Sequence, residues 1–181
     1  RINALGDEGI EKEIKDLQEK IDKVKIIAGL TDVKGTGVIV KLSDVPDPDF
    51  STYDPMSTII HSYHVYETVN ELRKAGAQAI AINGERILPM SEQMCAGATI
   101  RVNRKRYAYP YIITAIGDKE ALYNHINNSD IYVNLKLNSF DVSLAKEDEI
   151  IIPKYSGDIN SLINMLEGVE LNENRNKEQN G

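Results

Sequence analysis

The pair Asn83-Gly84 constrains the fold of this 181-residue chain more than any other local feature. It lies between two short runs, Ala79–Ile82 and Arg86–Leu88, and both of its positions tolerate the positive φ that a type I′ hairpin turn requires. Just upstream, an amphipathic pattern near Ser62–Ala75 followed by Gly76 predicts a helix that ends before the hairpin. A helix that leads into a tight hairpin indicates an α+β protein.

The periodicity of the remaining chain extends this prediction. Further strands are predicted at Val38–Leu42, Ala98–Val102 and Tyr107–Ile116, and a short helix with an inner face of Leu122 and Ile126 follows Gly117-Asp118. Two more strand regions are predicted from alternation: one over Ile131, Val133, Leu135 and Leu137, and a final hairpin of Val142–Leu144 and Glu149–Ile152 turning at Glu147-Asp148. We therefore predict a mixed, mostly antiparallel sheet with two helices packed on it, preceded by an N-terminal coiled-coil-like helix.

The first 30 residues carry a narrow apolar seam on a polar helix. Its members alternate spacings of four and three, as in a coiled coil: Ile10, Ile14, Leu17, Ile21, Val24 and Ala28. The seam is shorter than the roughly three to four heptads that identify a coiled coil, so a helix packed on its own domain is the alternative to a pairing or stalk segment. Gly6 and Gly9 interrupt the seam upstream, and Gly29 ends the helix.

Three parts are predicted along the chain. They are a heptad helix over 1–30, an α+β domain over 34–155, and a segment over 156–181. This last segment is expected to hold a short helix at Asp158–Leu166 and a disordered polar tail from Glu167.

Charge and motifs argue against several function classes. The net charge of −7 argues against a nucleic-acid partner, and no phosphate-binding lysine loop or serine elbow is present. His61 and His64 could share a metal and the aspartates of the loop over 43–56 could hold calcium, but the first pair lacks a further ligand and the loop lacks a turn glycine. Cys95, the single cysteine, is predicted to be a small buried residue. We expect no catalytic residues, no metal and no cofactor.

A basic and aromatic cluster is the one local oddity. Arg101, Arg104, Lys105 and Arg106 lie beside Tyr107, Tyr109 and Tyr111. Such a cluster can bind anionic polymers or lipid headgroups, or it can be an ordinary charged hairpin tip.

The run Asn70-Glu71-Leu72 followed by Ala75–Ile87 resembles the core signature of the domain-of-unknown-function 881 family, bacterial proteins often labelled "division initiation protein". The resemblance continues through Gly97–Asn103 and the Pro110…Asp118 junction, and it covers roughly Ile10 to Pro153. It implies a protein of the cell membrane, with a single-pass anchor upstream of Arg1, a coiled coil, and a domain outside the cytoplasm. Arg104 departs from the family, which usually has a glycine there.

Within this signature, folding alone explains Asn70, Glu71 and Arg86 least. A structural ion pair between Glu71 and Arg86 is predicted, with a binding surface as the alternative. The candidate binding residues are Asn70, Glu71, Asn83, Arg86, Arg101, Arg104, Arg106 and Tyr107.

The sequence therefore suggests a non-catalytic interaction module of a bacterial envelope protein, linked to cell division or wall assembly. Its expected partners are envelope proteins and a second copy of the chain through Ile10–Ala28. The alternatives are a receptor for a small ligand or an anionic wall polymer and, last, a hydrolase without a recognisable motif.

Overall fold

A computed structural model of the chain describes residues 2–163 and Leu166. The helices and strands in chain order are α1 Ile2–Ile27, β1 Val33–Ser43, a 3-10 helix Pro55–Thr58, α2 Ser62–Lys74, β2 Ala79–Ile82, β3 Glu85–Arg86, β4 Gln93–Ala96, β5 Thr99–Val102, β6 Lys105–Tyr107, β7 Tyr111–Ile116, α3 Lys119–Asn127, α4 Asp130–Leu137, β8 Asp141–Ile152 and α5 Asn160–Ile163. Of the helix predicted at Asp158–Leu166, residues 164 and 165 lie outside the described residues, as does the tail from Glu167.

A five-stranded sheet in the order β3-β2-β7-β1-β8 organises the fold, and each neighbouring pair is antiparallel. One face carries alternate residues such as Val38, Val40 and Ile113, which are fully buried beneath α2, α3 and α4. The other face carries a smaller apolar cluster around Ala81 and Ile152. This arrangement confirms the predicted α+β class with an antiparallel sheet and a leading helix.

The prediction of a strand over Ile131–Leu137 is wrong, because this segment forms the helix α4. Ser129 caps this helix by accepting a hydrogen bond from the backbone N–H of Tyr132. Tyr132 and Leu135 face the core, whereas Leu137 is 76% exposed. The alternation was fortuitous because seven residues hold too few turns to distinguish periods of two and 3.6. Three helices rather than two therefore cover the sheet.

The predicted final hairpin is also wrong, since β8 is one continuous strand that pairs with β1 along almost its whole length. Glu147, placed at the predicted turn, lies opposite Gly37. A register shift between Gly35 and Gly37 lets the charged stretch after Lys146 continue along the outer edge of the sheet. A side chain at Gly37 would collide with the carbonyl oxygen of Ala115, 1.9 Å from its Cβ position.

Two tight turns connect neighbouring strands, and the first of them is the predicted hairpin turn. Asn83 and Gly84 have φ of 47° and 82°, as a type I′ turn requires. Asn103 and Arg104, at 48° and 68°, connect β5 to β6 in a separate three-stranded sheet of order β4-β5-β6. The strand predicted over Tyr107–Ile116 is split, with β7 beginning only after Pro110, which lacks the N–H that a central strand uses.

Helix α1 projects from the domain. It runs through Gly6 and Gly9 and ends at Ile27, two residues before Gly29, whose φ is 73°. The N–H of Gly29 bonds the carbonyl of Ile26, and that of Leu30 bonds the carbonyl of Lys25, which is the Schellman arrangement. The helix end is tied to the domain because the Tyr155 N–H donates to the Gly29 carbonyl at 2.8 Å. Because every residue over 9–27 is exposed, the alternative of a helix packed along its own domain is wrong for this part.

Candidate functional site

Arg86 lies on the two-residue edge strand β3, directly after the Asn83-Gly84 turn. The turn fixes the register, so Arg86 pairs with Ala81 and its side chain lies on the second face of the sheet, opposite to the main core. The side-chain amide of Asn103 donates to the Arg86 carbonyl at 2.8 Å and holds this backbone in place. Arg86 is only 4% exposed.

The Arg86 guanidinium has no hydrogen-bond or carboxylate partner among the described residues. Its buried Nη1 is unsatisfied, and none of the ion pairs of that part of the chain within 4.0 Å includes Arg86. Burial lowers the pKa of the guanidinium, with no opposing contribution from an acid. A buried cation in this state is uncommon, since buried charges are almost always paired.

The predicted ion pair between Glu71 and Arg86 is therefore wrong. Glu71 lies on α2, on the opposite face of the sheet, and bonds Lys74 Nζ at 2.5 Å and His125 Nε2 at 2.6 Å. The hydrogen bond from Lys74 is the main reason that the pKa of Glu71 is lowered. The sequence could not show that the two residues lie on different layers.

Two cavities meet at Arg86. The larger, of about 670 Å³, has apolar walls from Ile26, Ile27, Val33 and Ile116. The smaller, of about 390 Å³, has Arg73, Leu88 and Pro89 in its wall. Both are also lined by Ile27, Gln78, Ala79 and Arg86.

The charges around these cavities are sparse. Lys34 and Asp32 line the larger one, and Asp32 already accepts a hydrogen bond from the Lys154 backbone at 2.7 Å. Arg73, in the smaller one, is also the donor to the side-chain oxygen of Asn70, at 3.4 Å. The structure thus places one of the predicted residues, Arg86, at a cavity, and it places Asn70 beside an arginine of the same cavity.

Glu85, next to Arg86, is a buried carboxylate that sequence reasoning missed. It accepts hydrogen bonds from Lys105 Nζ, from Tyr107 Oη at 3.0 Å and from Ser156 Oγ at 3.0 Å. Burial raises its pKa, but these hydrogen bonds outweigh burial and lower the pKa overall. Burial, followed by the hydrogen bond to Glu85, raises the pKa of Tyr107 to about 12. Only the strand alternation, which turns Glu85 away from Arg86, could have indicated such a role.

The predicted basic and aromatic cluster is only partly brought together, with Arg101 opposite Arg106 on strands β5 and β6. Arg101 lies 3.7 Å from a carboxylate oxygen of Glu92, and Lys105 is bonded to Glu85. Tyr111 is in the core, whereas Arg104 and Arg106 are exposed. Tyr107 and Lys105 thus serve the Glu85 network, and the tip is largely a charged hairpin.

Asn83 has a structural role. Its side-chain oxygen accepts from the Ile112 N–H at 2.8 Å, and its amide donates to the Pro110 carbonyl at 3.2 Å. These bonds fasten the turn to the start of β7.

The start of α2 brings His61, His64 and Cys95 together. The His61 N–H donates to His64 Nδ1 at 3.0 Å, so His64 caps the helix. Burial, followed by the charge of His61, lowers the pKa of His64 to about 4. Cys95 is exposed, which contradicts the predicted buried position, and the Ser62 hydroxyl lowers its thiol pKa. No group of three His, Cys, Asp or Glu side chains in the described part of the chain is placed to hold a metal.

The seam of α1 is the second candidate surface. Ile14, Ile21 and Ala28 occupy the a positions of the heptads, and Ile10, Leu17 and Val24 occupy the d positions. The five large members are between 48% and 63% exposed. None of the described helices is long and apolar enough to span a bilayer.

The chain is similar to known bacterial proteins. A family model described as a bacterial protein of unknown function, DUF881, matches residues 20–164. The chain is 31% identical over 136 residues to the UPF0749 protein YlxW of Bacillus subtilis, covering 73% of this chain and 57% of that relative. It is 28% identical over 127 residues to the UPF0749 protein Rv1823 of Mycobacterium tuberculosis, covering 67% of this chain and 41% of that relative.

A solved structure has the same fold. The crystal structure of an uncharacterized conserved protein from Mycobacterium tuberculosis matches with a TM-score of 0.64 and 20% identity, over 83% of this chain and 99% of that one.

Proposed function

The chain belongs to the DUF881 family of bacterial proteins of unknown function, and we propose that it works by binding, as an interaction module that pairs through the seam of α1. The rest of the proposal places it in a membrane-anchored envelope protein, with the domain outside the cytoplasm and a role in division or wall assembly. The exposed seam carries the proposal, because apolar residues at heptad spacing are left without a partner along a projecting helix.

Burial of the seam would supply the driving force. Full burial of an Ile or Leu side chain stabilises by roughly 1.5–3 kcal/mol, and these side chains are about half shielded already, so each gains roughly 1 kcal/mol. Five such residues on each helix have to exceed the entropy lost on association. The seam is therefore sufficient for a weak pair in solution and for a stronger one between tethered chains.

A second copy of the chain fits the seam. Ile at the a positions with Leu17 at a d position favours parallel two-stranded pairing. The flanking charges weaken such a pair, because Lys20 at position g would face Lys25 at position e of the second chain. Each like-charge contact costs about 0.3 kcal/mol. A common membrane anchor would offset this by raising the effective concentration.

Analytical ultracentrifugation of the full chain tests the pairing. Leu17→Asp places a charge in the seam and is expected to leave a monomer at every concentration. Lys20→Glu converts the two repulsive contacts into attractive ones and is expected to strengthen the dimer. Glu19→Lys, at the outer position f, is the matched control and should change little. A wild-type chain that stays monomeric at high concentration, and that Lys20→Glu does not dimerise, would contradict self-pairing.

The envelope assignment needs its own test. Fractionation of the natural full-length protein is expected to place it in the membrane. Recovery in the cytoplasmic fraction would refute this part of the proposal without affecting the pairing.

A further inference from the structure

We infer that the larger cavity beside Arg86 is a binding site for a monocarboxylate with an apolar body. This site is separate from the seam of α1 and does not depend on how that helix pairs.

The first argument is the difference between the two adjacent charges of β3. Glu85 has three donors around it, so its burial is compensated within the protein. Arg86 is buried just as deeply and its Nη1 has no acceptor in the described part of the chain. A guanidinium presents its N–H groups in a planar fork that matches a carboxylate. An external anion would supply the missing acceptor.

The second argument is the space beside the guanidinium. A volume of about 670 Å³ is within the range of small-molecule sites. Its walls of Ile27, Val33 and Ile116 suit a hydrocarbon chain, while Arg86 is a polar anchor held in place by its burial. A predominantly apolar pocket with one oriented polar group is the usual form of a ligand site.

The charge count selects a monoanion. Lys34 lies 3.6 Å from a carboxylate oxygen of Glu149, so Arg86 is the cation of this wall that has no carboxylate partner among the described residues. One carboxylate balances this charge. A phosphate dianion would leave an excess negative charge close to Asp32.

The end of α1 is the structural alternative as a partner for Arg86. A Cβ at Gly29 would lie 3.5 Å from Arg86 Nε, so the negative end of the helix dipole lies near the guanidinium. However, the carbonyls of Lys25, Ile26 and Gly29 accept hydrogen bonds from backbone N–H groups. Arg86 makes no hydrogen bond to the helix end, so capping does not account for its burial.

Isothermal titration calorimetry of the full chain with octanoate as the probe tests the site. We expect saturable binding, at least tenfold weaker binding of octanol, which lacks the charge, and at least tenfold weaker binding of propionate, which lacks the chain. Octyl phosphate should bind less well than octanoate. Equal or tighter binding of octyl phosphate would overturn the choice of a carboxylate.

Variants locate the binding. Arg86→Met is expected to weaken octanoate binding at least tenfold, and Arg106→Met, which removes an exposed arginine of the tip, should leave it unchanged. Ala79→Leu fills the cavity, keeps the charge and should also abolish binding, which covers the event that Arg86→Met folds poorly. The inference would be overturned if the wild type did not bind octanoate, or if Arg86→Met and Ala79→Leu both bound it as tightly as the wild type. Leu17→Asp should bind octanoate normally, so failure of the seam proposal does not mimic failure of this one.

Discussion

Replacing Arg86 by methionine should make the unliganded protein more stable. Methionine follows a similar path through the site, keeps much of the packing of the arginine stem and removes the charge. Most core substitutions destabilise a protein. An increase in the free energy of unfolding would therefore distinguish an unpaired buried charge from a buried charge that stabilises the fold through a partner.

The expected size follows from the contacts of Arg86. An unsatisfied buried polar group costs about 1–3 kcal/mol, and its Nη1 is such a group. Against this, the favourable effect of the nearby α1 dipole, about 0.3–1 kcal/mol, is lost. The net gain is about 1–2 kcal/mol. For a protein of this size, that corresponds to a rise in Tm of about 2–8 °C.

Urea unfolding and calorimetry of the purified chain give both quantities without any ligand. Arg106→Met, on the exposed tip, is the control for the loss of one positive charge and should change stability by less than about 0.5 kcal/mol. A loss of 2 kcal/mol or more in Arg86→Met, on the scale of a broken buried interaction, would refute the reasoning and show that Arg86 has a partner within the fold.

The other predictions concern Glu85, His64 and the seam of α1. Glu85→Gln removes a buried carboxylate with three donors and should cost about 2–4 kcal/mol in urea unfolding, whereas a cost below 1 kcal/mol would show that the network is dispensable. Folding lowers the pKa of His64 from 6.5 to about 4, so between these two pH values His64 is protonated in the unfolded chain and neutral in the folded protein. The contribution of His64 to the free energy of unfolding is fully present above pH 6.5 and falls by about 3 kcal/mol as the pH drops to 4. His64→Gln should flatten that part of the stability–pH curve, and an unchanged slope would assign the loss to other groups. Leu17→Asp should abolish concentration-dependent dimerisation while leaving the urea midpoint of the domain unchanged, because Leu17 lies on the exposed part of α1; a lower midpoint would show that the helix stabilises the domain.

Local signals predicted the fold well where they were strong. Asn83-Gly84 set the hairpin, Gly76 and Asp118 marked a helix end and a helix start, and the heptad spacing identified α1. Where two structures share one pattern, the sequence misled: α4 is too short for its period to be recognised, and β8 looks broken at its charged stretch because only its pairing with β1 shows that it is continuous.

The candidate site was only partly predictable. The sequence singles out Arg86 because a polar residue within a folding signature needs an explanation, but it does not show in which layer a partner of Arg86 would lie. Glu71 bonds His125, which is 54 positions away, and Glu85 bonds Ser156, which is 71 positions away. Such contacts depend on the packing of distant segments, which no local periodicity encodes.

Cysteine crosslinking in living bacteria tests the proposed pairing most directly. The full-length protein would carry Cys95→Ser together with either Ile21→Cys in the seam or Glu19→Cys on the outer face of the same helix turn. A short thiol-reactive crosslinker should give a dimer of the Ile21→Cys variant at native expression and little or none of the Glu19→Cys variant. Equal crosslinking of the two variants, or none from Ile21→Cys in a membrane-localised protein, would contradict the account.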